Sequence, residues 1–260
     1  MRLDGVCFRY PGTNRDVLKQ LDLEIRAGEF LGLVGINGAG KSTLVNLLGG
    51  AYRPTEGRVI VDGVDLASLD DRQIAAWQRR LAIVTQDHLH LPLTAAENVM
   101  LAAPKDQELL EEVTRQAGLD SAVRRLPRGW DTVMDRTVAA GGELSGGQWQ
   151  RLALARALYA VRSGAMFMVL DEPASALDVH AEKELVDKYM ELTRDTTSVA
   201  ISHRFSVVRG ADRICVLDSG SIRESGTHTE LLEKGGWYAQ MFAIQAARFG
   251  QEVTTVEAGE

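Results

Sequence analysis

Residues 35–42 of the 260-residue chain read Gly-Ile-Asn-Gly-Ala-Gly-Lys-Ser, a pattern suited to binding phosphate groups. The glycines allow backbone N–H groups to curl around phosphate oxygens, and a helix starting at Lys41 adds a favourable dipole. Lys41 is placed to reach the β- and γ-phosphates, and the Ser42 hydroxyl to bind Mg2+. The apolar stretch Phe30–Val34 and the helical pattern of Lys41–Leu48 supply the flanking strand and helix that such a loop requires. These residues predict a nucleoside triphosphate site rather than a simple glycine-rich helix cap.

A second group of residues offers carboxylates at the end of a strand. The apolar stretch Met166–Leu170 ends in Asp171 and Glu172, which predicts a buried parallel strand whose carboxyl end delivers both acids to the site. Asp171 is suited to holding Mg2+ through water, and Glu172 to acting as general base on the attacking water. Two acids at a strand end are by themselves also typical of a solvated loop. Beside the phosphate-binding loop they favour triphosphate hydrolysis.

The third motif is Leu144-Ser145-Gly146-Gly147-Gln148, followed by Trp-Gln-Arg-Leu-Ala-Leu-Ala-Arg-Ala. Ser145 and Gln148 have the spacing of a capping box, and the two glycines expose a helix N-terminus that can receive phosphate. A plain helix start would explain the capping residues but not the glycines or the rest of the string. The motif resembles the signature of ATP-binding-cassette (ABC) ATPases.

The resemblance extends over almost the whole chain and implies further contacts with ATP. Gln86 is similar to the Q-loop glutamine that senses Mg2+ and the γ-phosphate, and Ser175-Ala-Leu-Asp178 is similar to the D-loop. His203, directly after a predicted strand, resembles the switch histidine that contacts the γ-phosphate. Tyr10 matches the aromatic residue that stacks on adenine. Phe8 lies on the same face of the strand, so either ring could belong to the core.

The family's functional residues carry over to this chain as one set. The resemblance implies Glu172, His203 and Gln86 as catalytic residues, and Ser42, Gln86 and Asp171 as Mg2+ ligands. The residues expected to bind ATP are Tyr10, Gly35, Asn37, Gly38, Ala39, Gly40, Lys41, Ser42 and Thr43 of one copy, and Ser145, Gly146, Gly147, Gln148 and Asp178 of a second copy. ATP would lie between two nucleotide-binding domains, identical or different. Its binding would close the dimer, and its hydrolysis would reopen it.

Two stretches favour the exporter type within this family. Phe8–Gly12, and Gly226–Leu232 with Gly236-Trp-Tyr-Ala after it, resemble the nucleotide-binding domain of an exporter half-transporter. Two features differ from the commonest exporters: Asn37 stands where many have Ser or Thr, and Thr137–Glu143 lacks the usual acidic-glycine string. The ATPase subunit of an importer therefore remains an alternative.

The resemblance also implies a membrane partner. The transmembrane domain is expected either in the same longer chain or as a separate subunit, and the segment Asp87–Asn98 is expected to face it. The nucleotide-binding domain would then lie at the cytoplasmic face of the cell membrane, and would be soluble when isolated.

A soluble ABC ATPase of DNA repair, chromosome organisation or translation is the competing hypothesis from another functional class. The chromosome organisers insert long coiled coils between loop and signature, whereas only about a hundred residues separate Lys41 from Leu144 here, without sustained heptads. Translation factors of this family usually carry two cassettes, and this chain has one. An ordinary P-loop kinase or GTPase is disfavoured by the signature, the D-loop and the lack of an Asn-Lys-x-Asp guanine-binding motif.

The remaining sequence defines the elements that must position these residues. Strands alternate with helices in both halves, which predicts an α/β fold: a P-loop NTPase core with a mostly parallel sheet, an N-terminal antiparallel β subdomain and an inserted helical subdomain at about 88–160. Local patterns also predict a hairpin turn at Asp62-Gly63, a capping box from Thr94 to Glu97 and a helix over 179–194. One domain is expected over 1–250, with an irregular acidic tail over 251–260. The net charge of −7 argues against bulk electrostatic binding of nucleic acid. Cys7 and Cys215 form no metal-binding motif, and no apolar run approaches the length of a membrane span.

Overall fold

The computed structural model describes residues 1–85, 89–101, 103–172, 188–189, 191 and 196–257, with side chains described up to residue 247. The chain divides into two compact units, Met1–Ser68 with Val199–Glu260, and Leu69–Ser198. The strands are β1 (Arg2–Arg9), β2 (Asp16–Glu24), β3 (Phe30–Val34), β4 (Glu56–Val61), β5 (Val64–Asp65), β6 (Leu81–Val84), β7 (Phe167–Asp171), β8 (Thr197–Ile201), β9 (Arg213–Asp218) and β10 (Ser221–Gly226). The described helices are α1 (Lys41–Leu48), α2 (Asp71–Gln78), α3 (Ala95–Met100), α4 (Gln107–Gln116), α5 (Asp120–Arg124), α6 (Gly146–Arg162), α7 (Phe205–Val208), α8 (His228–Glu233) and α9 (Trp237–Glu257), with short 3-10 turns at Leu66–Ser68 and Gly129–Asp131.

The first unit contains the antiparallel sheet that the sequence predicts near the N-terminus. Its strand order is β2-β1-β4-β5, and the pairing sets Leu3 against Leu23 and Phe8 against Leu18. The sequence predicts a hairpin turn at Asp62-Gly63, and both residues have the positive φ angles, 48° and 83°, that a tight hairpin needs. The hairpin prediction is confirmed.

The first unit also contains parallel strands that lead into the phosphate-binding loop. β3 pairs in parallel with β9, from Leu31 beside Arg213 to Val34 beside Val216, and β10 pairs with β9 in the antiparallel direction. The residues of β3 and β9 that are buried are Leu31, Gly32, Leu33, Val34, Ile214, Cys215, Val216 and Leu217. Strands with a run of consecutive buried residues are typical of a parallel sheet covered on both faces. β3 ends at Val34, directly before the loop that leads into α1.

The second unit combines two parallel strands with a group of helices. β6 pairs with β7 from Leu81 beside Phe167 to Val84 beside Leu170. The predicted capping box of Thr94 and Glu97 starts α3, because each residue's side chain hydrogen-bonds to the backbone of the other. α6 has 17 residues and a largely buried middle. This unit therefore carries both the carboxylate-bearing strand and the signature helix.

The end of the chain differs from the sequence-based expectation. α9 continues to Glu257, whereas the sequence predicts an irregular tail from residue 251. No glycine or proline follows Gly250 until Gly259, so nothing in the local sequence stops the helix earlier. The helix predicted over 179–194 lies almost wholly outside the described residues. Of the helices the structure does describe, none is both long enough and apolar enough to cross a membrane.

Candidate nucleotide site

The conformation of the phosphate-binding loop is determined by close contacts within the first unit. A Cβ atom on Gly35 would lie 2.3 Å from the carbonyl oxygen of Leu217, so only glycine fits there. Gly40, the residue before α1, has a φ of 109°, and a Cβ there would lie 2.7 Å from a methyl group of Leu18. The loop is therefore held in one shape by its own chain, before any ligand contributes.

Lys41 and Ser42 take up different positions at the start of α1. The Lys41 ammonium is buried in the loop, where Nζ donates to the carbonyl oxygens of Gly35 at 2.8 Å and Ile36 at 3.1 Å. Ser42, by contrast, is exposed at the helix N-terminus. The positive charge of Lys41 and the backbone N–H groups at the N-terminus of α1 together provide a favourable electrostatic environment for phosphate.

Tyr10 is connected to the same loop through a hydroxyl group. Its Oη lies 2.9 Å from Oγ1 of Thr43, the third residue of α1. Its ring meets Phe8 and Tyr52 edge to face, with centroids 5.0 Å and 5.7 Å away. Phe8 is buried whereas Tyr10 is half-buried, so Phe8 is the core residue and Tyr10 retains exposed ring surface. Tyr52, which is 40% exposed, is an aromatic neighbour that no sequence motif indicates.

Asp171 and Glu172 lie at the carboxyl end of β7, as the sequence predicts. Asp171 is the last residue of the strand, and both residues are half-buried. Glu172 has a φ of 49°, in the left-handed region that residues with a side chain seldom occupy. Backbone strain of this kind clusters at functional sites, where it aims a side chain. No sequence pattern indicates this conformation.

His203 follows β8 and is exposed. The backbone beside it is well held, because the Ser202 N–H donates to the Leu33 carbonyl at 3.3 Å and the Ser202 hydroxyl accepts the Arg204 N–H at 2.9 Å. Leu33 belongs to β3, so the loop that carries His203 is anchored to the strand that leads into the phosphate-binding loop. Gln86 and Asp178 lie outside the part of the chain that the structure describes.

The signature turn, Leu144–Gln148, includes the residue before α6, Ser145, and the first three residues of that helix, in the second unit. The Gln148 side-chain oxygen accepts the Ser145 N–H at 2.8 Å, as the capping spacing predicts. Gly146 and Gly147 are exposed, neither has a positive φ, and a Cβ on either would meet no atom within 4 Å. Neither backbone conformation nor packing within the described chain therefore requires glycine at these positions.

The middle of α6 is fastened to the segment that follows the predicted Q-loop. The Arg156 guanidinium donates to the carbonyl oxygens of Asn98 at 2.7 Å and Leu89 at 3.0 Å, and to the Asn98 side-chain oxygen at 3.2 Å. Burial lowers the pKa of Arg156 to about 10. The His90 ring stacks on Trp149 at 3.9 Å, and burial followed by the charge of Arg156 lowers the pKa of His90. No sequence motif indicates this network, because its partners are far apart along the chain.

These elements define a class of protein. A glycine-rich loop between a parallel strand and a helix, with carboxylates at the end of another strand, is the arrangement of an α/β nucleoside triphosphatase. The family model described as "ABC transporter" matches residues 18–175, which is more than half of the chain. The chain belongs to the ABC transporter family, and it contains that family's ATP-binding, ATP-hydrolysing domain.

Individual relatives agree with the exporter-type expectation. The chain is 42% identical over 246 residues to an ATP-dependent lipid A-core flippase of Chromohalobacter salexigens, covering 94% of this chain and 41% of the flippase. It is 38% identical over 264 residues to multidrug resistance protein 3 of Entamoeba histolytica, covering 99% of this chain and 19% of that protein. A solved bacterial Atm1-family ABC exporter with ATP bound matches with a TM-score of 0.82 and 34% identity, over 94% of this chain and 42% of the exporter. The chain thus spans about two fifths of the flippase and of the exporter. These relatives favour the exporter-type domain over the importer and soluble alternatives.

Proposed function

We propose that two copies of this domain close around ATP, hydrolyse it, and so power export through a membrane domain. The proposal implies a composite site, in which the phosphate-binding loop of one copy and the signature turn of the other contact the same ATP. The open space around Gly146 and Gly147 is the observation that supports this site. In a helix interior, glycine is less stable than alanine by roughly 0.5–1 kcal/mol. Packing and backbone conformation within the described chain give no reason for glycine at Gly146 and Gly147, the first two residues of α6. A surface approached closely by the nucleotide of a second copy supplies that reason.

Each proposed residue has a distinct role in the composite site. Lys41 and the backbone of the loop bind the phosphates, and Tyr10 contributes exposed ring surface for adenine. Glu172 takes a proton from the attacking water, and His203 contacts the γ-phosphate. The remaining assignments belong to the same proposal: Asn37, Gly38, Ala39, Thr43, Ser145, Gln148, and, beyond the described residues, Gln86 and Asp178.

The donor groups of the chain suit Mg2+. The hydroxyl of Ser42 and the carboxylate of Asp171 are hard oxygen ligands, and Ser42 is exposed at the start of α1. Gln86 would add a third oxygen. When bound, Mg2+ would neutralise charge on the phosphates.

The membrane partner would dock on the segment around residues 87–98. In its described part, Leu89 and Leu93 are 50% and 38% exposed, although both are large apolar residues. Arg156 fastens this segment to α6, so a partner bound there would be connected to the signature helix. The domain would then work at the cytoplasmic face of a membrane. Relatives that share this domain are named for different cargoes, as lipid A-core flippases and as multidrug resistance proteins. We therefore assign the choice of cargo to the membrane domain rather than to this one.

The test is the rate of Mg-ATP hydrolysis as a function of protein concentration, combined with complementation. Turnover per chain should rise with concentration, because a composite site forms only in a dimer. Lys41→Ala and Gly146→Asp should each be inactive alone. Mixed in equal amounts, they should recover up to about a quarter of wild-type turnover, because half of the random dimers are mixed and each mixed dimer has one intact site.

Sedimentation with ATP supplies the control, since it shows whether the active species is a dimer. Turnover proportional to concentration from a species that sediments as a monomer would contradict the composite site. Absence of turnover in the wild type at every concentration would contradict hydrolysis by identical copies.

A further inference from the structure

We propose that Gln245, on the last helix, is a positioning residue for His203. The inference rests on the proposed contact between His203 and the γ-phosphate. The Gln245 Nε2 donates to the carbonyl oxygen of His203 at 3.1 Å, and its Oε1 accepts the N–H of Phe205 at 2.9 Å. One side-chain amide thus holds the backbone on both sides of Arg204.

The helix that carries Gln245 is itself anchored at its start. The Glu224 carboxylate accepts the N–H groups of Trp237 at 2.6 Å and Tyr238 at 3.0 Å, the first two residues of α9. A carboxylate at this position also interacts favourably with the positive end of the helix dipole. The Tyr238 hydroxyl lies 2.8 Å from Nδ1 of His228, which adds a second point of attachment.

Aromatic packing joins the same helix to the residues after His203. The Phe205 ring meets Tyr238 and Phe242 edge to face, with centroids 5.0 Å and 5.5 Å away. Phe205 and Tyr238 are both buried, so this contact is part of the core. This packing sets the distance between α9 and the loop that carries His203. The Gln245 amide then fixes the orientation of the peptide groups on either side of Arg204.

His203 is therefore held from two directions. β3 holds the N-terminal side through the bond from Ser202 to Leu33, and α9 holds the other side through Gln245. The imidazole remains exposed between these anchors. A neutral amide is suited to this position, because it can accept from one peptide group while it donates to the next. Small displacements of a group that contacts the transferred phosphate reduce turnover strongly. Loss of the two hydrogen bonds of Gln245 should therefore slow the chemical step.

The experiment compares Gln245→Met and Gln245→Glu with Gln240→Leu, a control at an exposed position of the same helix. Methionine matches the length of glutamine and cannot make either bond, whereas glutamate keeps the acceptor for Phe205 only. Gln245→Met should lower kcat roughly tenfold, about the worth of one net hydrogen bond. The KM for ATP should change less than about twofold, because the two hydrogen bonds of Gln245 go to peptide groups and not to the His203 imidazole or to the phosphate-binding loop. Gln245→Glu should lie between Gln245→Met and wild type.

A double mutant separates positioning from a general structural effect. With His203→Ala already present, Gln245→Met should cause no further loss in single-turnover hydrolysis, because the two residues act as one unit. An equal loss in both backgrounds would overturn the proposal, as would Gln245→Met turnover equal to that of the control. Should Gln245→Met fail to fold, Gln245→Glu carries the same comparison. His203→Ala with wild-type turnover would instead contradict the proposed function, which distinguishes the two failures.

Discussion

The phosphate-binding loop and the signature turn both place glycines at the start of a helix. They differ in whether contacts with the rest of the described chain require those glycines. In the loop, Gly35 and Gly40 are required by contacts with Leu217 and Leu18, and Lys41 is buried against the loop carbonyls. In the signature turn, a Cβ on Gly146 or Gly147 would meet no other atom of the described residues within 4 Å. The conformation of the loop is thus determined by its own chain, whereas the described chain does not require glycine in the signature turn, as the proposed composite site would explain.

This difference predicts which glycine substitutions should change the stability of the fold and which should change activity alone. A residue required by its own chain should affect folding and activity together when it is replaced. A residue required only by a partner should affect activity while the fold remains intact. The two helix starts therefore predict opposite outcomes for the same chemical change.

The largest expected effect is on ATP hydrolysis, the step to which the phosphate-binding loop and the signature turn would both contribute. Glu172→Gln keeps the size of the side chain but cannot accept the proton of the attacking water. It should lower kcat by about 10²–10⁴-fold, the usual contribution of a general base, while ATP still binds and accumulates in a dimer. The measurements are steady-state turnover and sedimentation with ATP, and Glu233→Gln, at an exposed position of α8, is the control. Turnover within threefold of wild type would show that Glu172 is not the base.

Gly146→Ala tests the signature side of the comparison. The added methyl group meets open space, so the free energy of unfolding should stay unchanged or increase by up to about 1 kcal/mol. Turnover should nevertheless fall at least tenfold, because the methyl would occupy the surface that closes over a partner's nucleotide. Denaturant unfolding and turnover are measured together. Gly210→Ala, also in open space without a positive φ, is the control and should change neither quantity. Full activity of Gly146→Ala would remove the main support for the composite site.

Gly40→Ala tests the loop side with the same substitution. The φ of 109° strains any side chain, and the new Cβ would be forced against Leu18 at 2.7 Å. The free energy of unfolding should fall by about 2–3 kcal/mol, and nucleotide binding should weaken with it. Gly63→Ala separates the two causes, since Gly63 also has a positive φ, 83°, but open space around it. If the two variants lose equal stability, contact with Leu18 contributes nothing.

Arg156→Met extends the comparison from the start of α6, at Gly146 and Gly147, to its middle, where Arg156 hydrogen-bonds to Leu89 and Asn98. The substitution keeps the apolar stem but leaves the Leu89 and Asn98 carbonyl oxygens without their donor. The free energy of unfolding should fall by roughly 1–3 kcal/mol, because Asn98 is buried and its carbonyl oxygen loses a charged donor, whereas the Leu89 carbonyl can bond to water instead. Arg151→Met is the matched control: Arg151 is exposed and donates to the Gly118 carbonyl. Equal losses for both variants would show that the anchor at Arg156 has no special weight.

Sequence reasoning succeeded where local patterns determine the structure. The strand over 30–34, the helix over 41–48 and the capping box at Thr94 all depend on residues close together in the chain, and the structure has them as predicted. The family assignment also followed from contiguous motifs. The roles assigned to the individual site residues remain predictions.

What sequence reasoning missed depends on distant partners or on backbone geometry. Arg156 reaches Asn98 across 58 positions and Gln245 reaches His203 across 42, and no periodicity marks such pairs. The left-handed backbone at Glu172 is likewise a property of the folded chain, since glutamate has no preference for it. These contacts hold the candidate site in place, whereas the motifs identify its chemistry.

The smallest expected effect is a pH dependence of stability in the element that anchors the last helix. Burial, followed by the positive charge of Arg209, lowers the pKa of His228, whose Nδ1 lies 2.8 Å from the Tyr238 hydroxyl. The unfolded chain therefore binds a proton at higher pH than the folded chain, so stability is complete above the unfolded pKa of about 6.5 and decreases as the pH falls below it. His90, beside Trp149 in the other unit, has its pKa lowered in the same direction and should add to the slope. Denaturant unfolding between pH 7.5 and 5 should show this decrease, and His228→Gln should reduce its slope without removing it, because His90 still titrates. A slope unchanged in His228→Gln would mean that protonation of His228 does not contribute to the pH dependence, and that the His228–Tyr238 contact does not couple α9 to protonation.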